Sequence, residues 1–194
     1  MKEKKLQNFL FGALITVALV VIVMVILSQI KIIPTKEYHD EQFKFTVKYP
    51  AYWPIVVRPQ NGMALVQFSS PKSSEDDKVI ENVNISIVDL ALNPKMMDIN
   101  YFSKITTQQM IGTFGEGLNV LETKSARWSG LPAFRFSYVT KEKTSITGSR
   151  MKYLHVWTIK GQYAFILTYI GEAEEFDENM KRANIIIKSF KFDS

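Results

Sequence analysis

Histidine occurs twice in this chain of 194 residues and cysteine not at all, so the residue types that most often carry chemistry are scarce. Without cysteine there is no disulfide, thiolate metal site, cysteine nucleophile or lipid-modified thiol behind a hydrophobic segment. His39 lies in the polar stretch "KIIPTKEYHDEQ". His155 lies in "MKYLHVWTI", where Met151, Tyr153, His155, Trp157 and Ile159 share one face of a strand. An imidazole on such a face could touch a ligand, and a hydrolase or metal-dependent enzyme built on this chain would have to use it. No second histidine or carboxylate stands at metal-ligand spacing, which favours a hydrogen-bonded packing role.

Other candidate motifs are weaker. Glu75, Asp76 and Asp77 could attract calcium, but they lack the alternating carboxylates and glycine of a calcium loop and stand between Lys72 and Lys78. No G-x-S-x-G is present, and "GTFGEGLN" follows a helical pattern rather than a strand, so its glycines end a helix instead of cradling phosphate. "NIS" at Asn84 to Ser86 satisfies the glycosylation pattern inside a strand. Arg127, Arg135 and Arg150 could line an anionic groove, although single arginines on strands usually serve as cross-strand charge partners. The residues therefore assign no catalytic, metal or cofactor site. They predict a non-enzymatic binding module, with an ion or small-molecule sensor as the other non-catalytic class. Tyr52, Trp53 and Trp128 are the candidate partner-binding residues, because aromatic anchors dominate interfaces; the competing use of such rings is core packing.

Stepping outward to what must hold these residues, 46% apolar and 12% aromatic residues suffice for one folded domain with an appendage. The net charge of +5 is spread along the chain, and beyond residue 30 it falls to 21 basic against 18 acidic groups, with no basic helix of the kind that binds nucleic acid. "FLFGALITVALVVIVMVIL", residues 9–27, carries no charge and would span about 28 Å as a helix, matching a bilayer core. It ends "VILSQIKII", without the small-x-small site of a cleaved signal, so an uncleaved anchor is expected. Lys2, Lys4 and Lys5 at its amino end place residues 1–8 in the cytoplasm by the positive-inside bias. The expected order is a transmembrane anchor over 9–30, a linker over 31–42 and an extracytoplasmic domain over 43–194.

Within that domain Phe43, Phe45, Val47 and Tyr49 alternate with polar residues until Pro50 and Pro54, which lack the amide hydrogen a ladder needs, turn the chain so that Tyr52 and Trp53 fold back over the core. Strands follow at "MALVQFSS" and "VNISIVDL", a helix runs from Asp98 as cap to about Phe114, and "LNVLETKSARW", "PAFRFSYVTKE", "GSRMKYLHVWTIK" and "YAFILTYI" are further strands. The last is apolar on both faces, so both must be covered. Phe176, Met180, Ala183, Ile187 and Phe190 supply one cover as the stripe of an amphipathic helix, with acidic residues at its start and lysines at its end. The fold class predicted is α+β, an antiparallel sheet with helices on both faces, preceded by one transmembrane helix.

The sequence resembles the PsbP family, the extrinsic photosystem II proteins and their bacterial relatives. The matching segments are "FKFTVKYPAYW", "LVQFSSP", "NVNISIVDL", "LPAFRFSYV" and "YAFILTYIGEAEEFDENMKRANIIIKSFKF", which span nearly all of residues 43–192. The resemblance implies a Mog1-type α/β/α sandwich and an accessory role, binding or assisting assembly of a membrane-associated protein complex without a catalytic centre. Some photosynthetic members are linked to calcium and chloride retention, so the resemblance makes calcium the possible cofactor, although no family metal ligand falls on a residue here. The chain departs from plant members by carrying an anchor where they have a transit peptide.

Overall fold

The computed structural model describes residues 32–193 except 60–63, 73, 74, 76–78 and 146, together with 19–21 and 24. The expected anchor lies outside the described residues apart from those last four, which are helical; among the described residues no helix is long and apolar enough to cross a membrane. The chain divides into two units, Met1–Ile33 and Pro34–Ser194.

Among the described residues the second unit has ten strands: β1 (Thr35–Asp40), β2 (Phe45–Pro50), β3 (Ile55–Val57), β4 (Ala64–Ser69), β5 (Asn82–Asp89), β6 (Leu118–Trp128), β7 (Leu131–Thr140), β8 (Met151–Lys160), β9 (Tyr163–Glu172) and β10 (Lys191–Phe192). Helix α1 (Ile99–Phe114) separates β5 from β6, and α2 (Phe176–Ser189) separates β9 from β10. Seven strands form one antiparallel sheet in the order β3-β4-β5-β9-β8-β7-β6, and a second sheet has the order β1-β2-β10. Residues 35–40, expected to be linker, are thus a strand paired along its length with β2, from Thr35 opposite Pro50 to Asp40 opposite Phe45. The folded unit accordingly starts at Pro34 instead of residue 43. The pattern hides this because an edge strand needs only backbone pairing on one side, and most β1 side chains face solvent.

Strand β9 explains the layering. Phe165, Leu167 and Tyr169 enter one buried cluster with Val83, Ile85, Leu154, Phe45 and the α2 residues Phe176, Ala183 and Ile186. Its intervening Ala164 and Ile166 enter the other, with Phe136, Tyr138, Trp157 and Phe102 of α1. One face of the large sheet is covered by α2 and the small sheet, the opposite face by α1. The period of two sends alternate side chains to opposite faces, so a central strand with apolar residues on both faces must lie between two covers. Each fully buried Leu or Ile here stabilises the unit by roughly 1.5–3 kcal/mol.

Both helices obey local rules. The Asp98 carboxylate accepts the Tyr101 backbone N–H at 2.8 Å as the N-cap of α1, and Gly115 closes that helix at φ 54°, a conformation that side chains with a Cβ resist. Helix α2 carries Asp177 and Glu178 in its first turn and Lys188 in its last, in the sense its dipole favours.

Candidate functional site

Four segments meet around a polar cavity of about 170 Å³. The turn after β2 contributes Tyr52 and Trp53, the chain leaving β4 contributes Ser70, Pro71 and Lys72, the residue before β5 is Glu81, and α2 presents Glu175, Asn179 and Arg182. The last three recur at spacings of four and three, which puts them on one side of a helix with 3.6 residues per turn.

Glu81 forms the floor. It is 5% exposed, and its carboxylate accepts from Ser70 Oγ at 2.7 Å and Asn179 Nδ2 at 3.0 Å. The Ser70 backbone N–H also donates to the Glu81 carbonyl at 2.8 Å, locking the end of β4 to the start of β5. Burying a carboxylate costs several kcal/mol, and charge-assisted hydrogen bonds of about 1.5–3 kcal/mol each are what make it tolerable. Asn179 passes the connection on, its Oδ1 accepting from Arg182 Nη1 at 2.5 Å, while Arg182 Nε donates to the Tyr52 hydroxyl at 2.9 Å. Ser70, Glu81, Asn179, Arg182 and Tyr52 thereby form one hydrogen-bonded chain across four segments. Room for the Glu81 side chain depends on Gly171 of β9, where a Cβ would lie 3.0 Å from Glu81 Cγ. Nearby, the Tyr169 hydroxyl donates to the Phe176 carbonyl at 3.3 Å, and burial, reinforced by the Glu81 charge, holds its pKa well above the usual phenol value.

The aromatic candidates separate. Tyr52 is 46% exposed on the cavity rim, whereas Trp53 is 2% exposed and forms part of the wall, with an indole N–H that has no acceptor among the described residues. Trp128 is core. Its Nε1 donates to the Ile187 carbonyl at 2.8 Å, and its ring stacks on Phe190 with centroids 4.2 Å apart, so it does not share a surface with the other two.

His155 is 6% exposed within a set of rings from Phe136, Tyr138, Tyr153 and Trp157, and its Nδ1 is 2.9 Å from Thr168 Oγ1. Burial lowers its pKa to about 4, which keeps the ring neutral. His39 instead ties β1 to its neighbours, its Nδ1 lying 3.2 Å from Thr46 Oγ1. Each arginine of the possible anionic groove has its own local partner: Arg135 the Glu122 carboxylate at 3.3 Å, Arg150 that of Glu174 at 2.9 Å, and Arg127 the Gly130 carbonyl. Asp76 and Asp77 lie outside the described residues, and among the described residues no group of three His, Asp or Glu side chains could hold a metal ion. Glu81, Asn179 and Arg182 were not singled out from the sequence. The polar spacing along α2 was a signal for the last two; nothing local marks Glu81, whose burial depends on Ser70 and α2.

Residues 27–192 match the model of a family described as PsbP-like protein. No curated protein matches the chain. Among solved structures, cyanobacterial PsbP (CyanoP) from Synechocystis sp. PCC 6803 is 13% identical with a TM-score of 0.58, the match covering 84% of this chain and 95% of that one. The Ran-binding protein Mog1p of Saccharomyces cerevisiae is 8% identical with a TM-score of 0.53, covering 83% of this chain and 96% of its own. LpqN, involved in cell envelope biogenesis of Mycobacterium tuberculosis, is 11% identical with a TM-score of 0.51, covering 83% and 91%. At such identities the likeness speaks for the fold, and the family match over most of the length carries membership: the chain belongs to the PsbP-like protein family.

Proposed function

We propose that this protein is a membrane-tethered binding module, its amino terminus in the cytoplasm and its PsbP-like domain outside, that docks a protein of a membrane-associated complex without catalysing a reaction. The observation that carries the reading is the rim of the cavity, where Tyr52 is half exposed yet held by Arg182 Nε at 2.9 Å. An aromatic ring presented in a fixed position is the kind of anchor that supplies binding energy without the entropy cost of ordering it. The rim also lies close to where the chain enters the domain, because the Ala51 N–H donates to the Pro34 carbonyl at 2.8 Å. A binding role on this fold has a precedent in the Ran-binding protein Mog1p.

The test uses the full-length chain in its native membrane. External protease should digest the carboxyl-terminal domain in intact cells, and in-cell crosslinking should capture a defined membrane protein. Tyr52→Ala should reduce that capture at least fivefold while leaving the thermal midpoint unchanged. Digestion only after the cells are opened would overturn the topology, and undiminished capture by the Tyr52 variant would overturn the docking face.

A further inference from the structure

Two cationic side chains of the cavity lining keep open donors. Arg182 spends Nε on Tyr52 and Nη1 on Asn179, so its guanidinium is held in place while Nη2 has no acceptor among the described residues. Lys72 lines the same cavity and has no ion pair among the described residues. Trp53, almost fully buried in the wall, has an indole N–H without an acceptor. The other two indoles are bonded, Trp128 to the Ile187 carbonyl at 2.8 Å and Trp157 to Ser103 Oγ at 2.8 Å. On the acceptor side, both Glu81 oxygens are already engaged. A ligand entering here would meet the open Arg182 and Lys72 donors beside a Glu81 carboxylate that is already occupied, with the buried Trp53 indole in the wall behind them.

We infer that the cavity binds a carboxylate, presented as an acidic side chain by a peptide segment of the docked protein. The Arg182 guanidinium, held in place by its two hydrogen bonds, suits either anion, and the choice of a carboxylate over a phosphate rests on charge and size. The cavity already holds Glu81 and Glu175 opposite Arg182 and Lys72, so a doubly charged phosphate would face repulsion that a single negative charge largely avoids. The volume of about 170 Å³ has room for a short acidic side chain, with the half-exposed Tyr52 ring beside its backbone. The inference rests on the binding-module reading and narrows it to one kind of recognition.

The three indole N–H groups provide the readout. Full-length protein in non-ionic maltoside micelles, labelled with nitrogen-15, is titrated with a tetraglutamate peptide, a tetraglutamine peptide, inorganic phosphate and anionic phospholipid bicelles. The expected result is a saturable shift of the Trp53 indole resonance with tetraglutamate alone, while the Trp128 and Trp157 resonances stay in place. Arg182→Gln should weaken that binding at least tenfold, and Arg182→Lys, which keeps the charge and loses the planar guanidinium held by Tyr52 and Asn179, by a smaller factor. A stationary Trp53 resonance, an equal response to tetraglutamine, phosphate or lipid, or unchanged binding by Arg182→Gln would each overturn the carboxylate site. Such failure is separable from failure of the module reading, which is judged by topology and by the Tyr52 variant.

Discussion

At His155 the imidazole lies nearly parallel to Tyr153, with 3° between the ring planes, and at 22° to Tyr138, a geometry of packed aromatics with one hydrogen bond to Thr168. Because burial lowers its pKa from 6.5 to about 4, the unfolded chain binds a proton in that interval that the native protein does not. Stability from this residue is therefore complete above about pH 6.5 and is lost as the pH falls toward 4, up to about 3 kcal/mol in all. Urea unfolding of the wild type and of His155→Phe should show the wild type losing about 2 kcal/mol more than the variant between pH 7.5 and 4.5. Parallel losses would refute the buried neutral ring. Gly171 makes a second prediction at this scale. Gly171→Ala places a methyl 3.0 Å from Glu81 Cγ and 3.4 Å from the Tyr169 hydroxyl oxygen. It should cost about 1–3 kcal/mol, as overpacking does, and broaden the Trp53 indole resonance as Glu81 is displaced.

The elements differ in how plainly their residues announce them. Helix α1 starts at its Asp98 cap and stops at a glycine, and those local signals suffice to place both ends. Removing the cap by Asp98→Ala should cost about 1 kcal/mol and speed amide exchange in the first turn of α1 while leaving α2 protected; uniform loss of protection in both helices would show that the cap is not a local device. Strands β6 to β9 were legible as well, since turn residues such as Gly130 and Gly161 punctuate long alternating runs. Two elements were not. "TKEYHD" carries one aromatic among charged and polar residues and becomes β1 only because β2 offers it a partner. Strand β3 has three residues after two prolines, too few to show a period, and is defined by pairing with β4. The site failed for a related reason. Tyr52 and Trp53 stand out as aromatics, but Glu81 and Arg182 look like any loop carboxylate and helix cation until the sheet and α2 bring them to either side of Asn179 in one hydrogen-bonded chain. Trp128 shows the reverse error, an aromatic whose donor is satisfied by Ile187 inside the core.

For the molecule as a whole, the start of the folded unit at Pro34 can be tested by two truncations. A segment beginning at Ile32 keeps β1 and should melt cooperatively. One beginning at Gln42 strips β1 from β2 and removes Tyr38, whose ring lies 6.0 Å from Phe45 and 6.1 Å from Phe68, so it should melt well below the first and aggregate through the exposed strand edge. Equal melting of the two would return residues 34–41 to the status of a tether. The small sheet has one more property that bears on how such a protein is made. Its central strand receives β1 on one side and the Lys191–Phe192 pair on the other, and the Asp193 N–H reaches the Lys44 carbonyl at 2.9 Å. That layer cannot be completed while residues 191–193 are still inside the ribosome. A nascent chain stalled before Lys191 emerges would present a raw strand edge, a signal that quality-control proteases could recognise.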